Sequence, residues 1–167
     1  MAATVHITSH HGASGATTAD VDGGSVRYKQ ADNDTVDANN PIPIPAAGTN
    51  YSYIKQFRFN AATTPANTIN NLKVYSDGAN GLGTGVDLLV KTSATYTDPV
   101  ANAATQLAGT VSIFTKTSGS PLAVTGSISN PTTGEFGDYI QTQMSVDNTA
   151  AQGNSGSETI TFSYDES

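Results

Sequence analysis

The 167-residue chain has no Cys, seven Lys+Arg against fourteen Asp+Glu, a formal net charge of −7, and 37% hydrophobic, 7% aromatic and 13% charged residues. That length suits one domain with its own core, and the acidic balance opposes phosphate backbones and anionic lipid, so neither nucleic acid nor membrane is an expected partner. With 24 Thr, 16 Ser, 13 Asn and 16 Gly, uncharged polar side chains supply most of the solvated surface, a strand-and-turn composition that excludes coiled coils.

At the N-terminus no basic region precedes an apolar run, and no segment reaches the ~18 apolar residues of a membrane helix, so neither export by a leader nor membrane insertion is expected. Residues 9–24 are small and polar without a period, which predicts a flexible arm over 1–24 ahead of a single β-sandwich domain over 25–167. Thr4 to Thr8 could act as a strand within that arm, reaching a neighbouring subunit or folding back on its own sheet. Beyond it, strands are predicted at about 25–30, 51–60, 69–76, 85–91, 110–116, 122–128, 138–147 and 157–165, separated by Gly- and Asn-rich turns. Period-two alternation assigns Phe57 and Phe59, Val86, Leu88 and Val90, then Ile140, Thr142, Met144 and Val146, and finally Ile160, Phe162 and Tyr164 to the core. One short helix is predicted over 98–109, with Asp98 as cap, Pro99 at its first position, Val100, Ala104 and Leu107 on one face and Gly109 ending it. Pro41–Pro45, PIPIP, cannot donate a regular ladder and reads as a stiff linker or an extended edge segment. The fold class is therefore all-β, an antiparallel sandwich of jelly-roll or Ig-like type with at most one short helix.

Chemistry-bearing residues are sparse. All three histidines, His6, His10 and His11, lie in the first eleven residues, but without Cys or a helix to align them they read as part of the arm. The same placement removes a base for a Ser-His-Asp triad. Asp32, Asp34 and Asp37, and Asp77 with Asn80, offer hard oxygens without the full calcium-loop series, and read as turns. Glu135, Glu158 and Glu166 are the only glutamates and there is no Trp, so a glycosidase cleft is not expected. GLGTG at 81–85 precedes a strand, not a helix, and reads as a turn. No cofactor, metal or catalytic residue is expected. Seven tyrosines supply contact area; Tyr51 and Tyr53, beside PIPIP, and Val5 and Ile7, in the N-terminal strand segment, are the candidate partner contacts.

The stretches TINNLKVYSDGANGLGTGVDLLVKTSATYTDP and DYIQTQMSVDNTAAQGNSGSETITFSYDES make the chain, over about residues 50–167, resemble small β-sandwich virion structural proteins of tailed bacteriophages. The resemblance implies a non-enzymatic capsid decoration (cement) protein on the virion surface, made in the host cytoplasm. Its partners would be the major capsid protein or other virion proteins, and the chain would form a homo-oligomer, with a trimer as the guess. The rival expectation is a receptor- or carbohydrate-binding sandwich of a phage neck, tail or fibre.

Overall fold

A computed structural model describes residues 3–100 and 105–167. In chain order the strands are β1 (Val5–His11), β2 (Thr17–Asp20), β3 (Thr49–Tyr51), β4 (Lys55–Ala61), β5 (Thr68–Tyr75), β6 (Val86–Ser93), β7 (Val111–Ser112), β8 (Leu122–Val124), β9 (Ile128–Ser129), β10 (Gly134–Asp147) and β11 (Thr161–Glu166). A 3-10 turn, Ile113–Thr115, follows β7, and no α-helix occurs among the described residues. The larger sheet runs β2-β1-β4-β10-β6-β7, with β3 pairing the far end of β10; the smaller runs β11-β5-β8, with β9 also on β5. Every pairing is antiparallel, so the architecture is an all-β, sandwich-like pair of sheets.

Register determines which residues face inward. Ile7 lies opposite Phe59, and Phe57 lies between Ser9 and Ile140, so these side chains share the inner face of the larger sheet. Phe59, Val90 and Ile140 are fully buried there. Across the core, Phe162 of β11 meets Phe57 and Phe59 edge-on, with ring centroids 6.1 and 6.0 Å apart. Two irregularities keep both sheets facing inward. In β5, Asn71 takes φ +51° where the β11 register shifts between Ser163 and Asp165, so Ile69 before the bulge and Leu72 and Val74 after it all point into the core. In β10 the register shifts between Phe136 and Ile140 at Gly137 (φ +77°), and Gly126 passes so close that a Cβ there would lie 2.4 Å from the Gly137 Cα.

Four expectations change. The flexible arm is instead a hairpin: β1 pairs β2 on one side and β4 on the other, and its Val5 and Ile7 pack against the core. The apolar alternation of Val5 and Ile7 outweighs the polar composition around them. The strand expected at 25–30 is absent; Val26 and Tyr28 pack on the core from an irregular segment. The strand expected at 110–116 shortens to β7 because the Ser112 side chain accepts the Phe114 N–H and starts the 3-10 turn. Of the helix expected over 98–109, residues 101–104 lie outside the described residues; at its flanks Asp98 closes a turn through the Val100 N–H, and Leu107 donates its N–H to Gln143.

Candidate functional site

Beyond the reach of the smaller sheet, the inner face of β1 and β4 ends in polar residues, Ser9, His11 and Lys55, and the irregular segment 25–48 folds over them. Lys55 and Lys29 have side chains only 2% and 1% exposed. The Lys55 ammonium donates to the Asn33 carbonyl and lies 3.6 Å from Asp34; that of Lys29 donates to the Thr35 carbonyl at 2.9 Å and to Asp37 at 3.1 Å. Asp34 also accepts the Ser9 hydroxyl at 2.6 Å and meets His11 Nδ1 at 3.0 Å, while Asp32 accepts the Gly12 N–H at 2.6 Å. Burial pushes the Lys55 ammonium below its usual range, and the Asp34 and Asp32 carboxylates oppose that shift. The arrangement can clamp a loop to a sheet. Ser9 donates to Asp34 instead of to an imidazole, so the Ser-His step of a nucleophilic triad is not formed here.

The three histidines of β1 go to three different places. His6 Nδ1 lies 2.7 Å from Asp22 and 3.1 Å from Asp20, His10 Nε2 lies 3.0 Å from Glu135, and His11 faces Asp34. Alternation sends His6 and His10 to one face of the strand and His11 to the other, so they cannot share an ion. His6, Asp20 and Asp22 form the one group of metal-ligand type among the described residues, with donor atoms within 4.8 Å of one another. Its members are already engaged in the turn: Asp22 accepts the Ile7 N–H at 2.6 Å, and Asp20 accepts the Asp22 N–H at 2.9 Å. Asp32, Asp34 and Asp37 take separate partners, and Asp77 and Asn80 accept the N–H groups of Ala79 and Leu82 within their own turn. The 81–85 glycines form turns, and Gly156 lets its segment pass Gly81, because a Cβ on Gly156 would meet the Gly81 carbonyl.

Sequence reasoning did not anticipate a cleft of about 1370 Å³ between the sheets, with an apolar wall and a polar rim. Val5 and Ile7 of β1, Phe57 and Phe59 of β4 and Phe162 and Tyr164 of β11 line it. Within the smaller sheet only β11 contributes, so the cleft opens on the side of β11 away from β5. Ile42 and Ile44, two residues apart in PIPIP, dip into the cleft from the covering segment. Their proline neighbours have no N–H, so the segment fills space without extending a ladder.

Of the candidate contacts, Val5 and Ile7 line this cleft, whereas Tyr51 and Tyr53 do not. Tyr51 sits in β3 with its hydroxyl 3.4 Å from Gln106, and the Tyr53 N–H is held by the Lys29 carbonyl. Tyr28 reaches inward to Thr142 at 2.8 Å, and burial pushes its phenol up to about 12. A signal for the cleft existed in the alternation of Val5, Ile7, Phe57, Phe59, Ile160 and Phe162; the relative widths of the two sheets decide that these residues border a gap, and alternation does not carry widths. No family model, curated protein or solved structure matches this chain.

Proposed function

We propose that the chain is a non-enzymatic virion structural protein of a tailed phage, a capsid decoration protein that binds and stabilises the assembled head. The supporting observation is the uneven sandwich: a wide sheet under a narrow one leaves an unpaired strand edge beside a cleft with an apolar wall, a surface suited to protein partners. Lys29, Lys55 and His11 tie the covering loop to the sheet, and His10 ties the N-terminal hairpin to Glu135 of β10, which anchors the surroundings of that surface. Rigidity lowers the ordering cost of docking on a lattice. The test is density-gradient sedimentation of the protein with capsids of the phage that encodes it, expanded and unexpanded. Saturable co-sedimentation with expanded shells is expected; a protein that stays free with every shell overturns the proposal. In that case the rival, a receptor- or carbohydrate-binding module of a neck, tail or fibre, takes its place, favoured by Tyr164 lining the cleft and tested by a glycan screen.

A further inference from the structure

We infer that the cleft beside β11 is a strand acceptor: an extended segment of the partner, with alternating apolar residues and basic residues between them, adds to the free edge of β11 and buries its apolar side chains against the half-buried Val5 and Ile7 of β1. This rests on the structural-protein reading above and names the chemistry of its partner.

Four observations lead there. First, β11 pairs with β5 alone, and among the described residues its other edge makes no backbone hydrogen bond. An unpaired edge is a template for a further strand, since its N–H and C=O groups already stand at ladder spacing. Second, the wall facing that position repeats every two residues: the half-buried Val5 and Ile7 on β1 face the same way as Phe57 and Phe59 on β4, which Phe162 already covers. An incoming strand presents its side chains with the same period, so each second residue points at this wall. Third, the chain lines the space with PIPIP, whose two isoleucines imitate alternate strand residues but whose prolines have no N–H to offer β11. Val36, on the same covering segment, lines the cleft while 59% exposed, which leaves apolar surface for an occupant to cover. Fourth, the charged side chains around the opening are Asp22 and Glu158 against Arg27, on a chain of net charge −7. Basic residues at the outward positions of the strand complement that field. An acyl chain could match the apolar wall, but it would leave the edge of β11 unpaired.

The test uses a synthetic peptide of roughly seven residues, about 23 Å when extended, alternating Val or Ile with Lys or Thr. A second peptide of the same sequence carries N-methyl groups on alternate amides, in both possible registers. Binding to the full chain is read by fluorescence anisotropy, and the unlabelled peptide is then added to the shell sedimentation. Saturable binding of the first peptide, lost on N-methylation in one register and weakened at least about tenfold by Val36→Lys, supports the inference. Val36 is exposed, so this variant keeps the fold, and Val36→Thr serves as its uncharged companion. Equal binding of the N-methylated peptides means that only apolar filling occurs and overturns the inference, as does no binding up to millimolar peptide. Shell binding that the peptide does not compete away overturns the strand inference while leaving the decoration role intact. Peptide binding without shell binding does the reverse.

Discussion

Asp34 ties together three groups that have no other reason to meet: the Ser9 hydroxyl, the His11 ring and the Lys55 ammonium. Removing a single member of such a buried pair leaves its partner's charge uncompensated. We expect Asp34→Ala to cost about 3 kcal/mol and Lys55→Met a similar amount, with the double variant losing less than the sum. Urea titrations of the four proteins measure this coupling; strict additivity would contradict the clamp. Acid stability follows from other carboxylates. Lys29 and the Asn39 N–H hold Asp37 below its usual range, the hydroxyl and N–H of Thr149 do so for Asp147, and the N–H groups of Ala66 and Ala3 do so for Glu166. Because the folded values lie below the unfolded ones, near 4, this stabilisation is complete above that range and is lost as pH falls through the folded values. The melting temperature should therefore drop below about pH 4, and more shallowly in Glu166→Gln. At the alkaline end the sign reverses for Tyr28, since the unfolded phenol loses its proton near 10 and the folded one at about 12. Stability should decline across that window, and Tyr28→Phe should remove part of the decline.

At the scale of elements, β10 is the organising strand because both of its faces are covered. Ile140, Thr142, Met144 and Val146 face the core as alternation predicts. The polar face is covered too: Gln141 and Gln143 are fully buried, as is Gln56 beside them on β4. Gln141 donates to Gln56 and to the Thr97 hydroxyl, Gln56 exchanges hydrogen bonds with the Thr97 backbone, and Gln143 accepts from Leu107 and donates to Ser52 and Thr105. Glutamines suit this place because an amide can both donate to and accept from a backbone that has left regular structure, as Gln56 and Gln143 do, whereas Gln141 only donates and its buried Oε1 has no hydrogen-bond partner among the described residues. Gln143→Ala should cost about 2 kcal/mol by leaving backbone groups unsatisfied. It should also open residues 105–107 to limited proteolysis before the sheets unfold; a variant as protease-resistant as the parent would contradict that role. The same strand shows what a sequence can and cannot disclose. Its core face was legible from period two, as were those of β4 and β6, because apolar and polar residues alternate along them; β5 was placed only as a strand, its bulge at Asn71 breaking the period. The buried polar face of β10 was not, since Gln is ordinarily a solvent residue and its partners come from irregular chain at Thr95, Thr97, Thr105 and Leu107. The N-terminal hairpin was obscured for a related reason: Val5 and Ile7 are only two apolar residues in a polar stretch, and their partner β4 lies some fifty residues away.

For the molecule as a whole, the consequential feature is the mismatch between a six-strand path in one sheet and a three-strand path in the other. The core closes where Phe162 meets Phe57 and Phe59, and it gapes where β1 extends beyond β11. The outline of an all-β sandwich followed from composition and alternation, but the gap could not, because it depends on how many strands each sheet recruits. An edge of this kind is ordinarily blunted by charge or paired in an assembly. Here Asp165 and Glu166 supply charge, Glu166 also holding Ala3 and Ala66, while Val5 and Ile7 are only half-buried and Val36 of the covering segment is exposed. Hydrogen–deuterium exchange of the protein, alone and on expanded shells, tests this most directly. The expected result is slowed exchange on shells concentrated in β11 and in residues 42 and 44, with β2 and β7 unchanged. Protection confined to β2 or β7, or none in the presence of bound shell, would contradict the assignment of the β11 edge and its cleft as the contact surface.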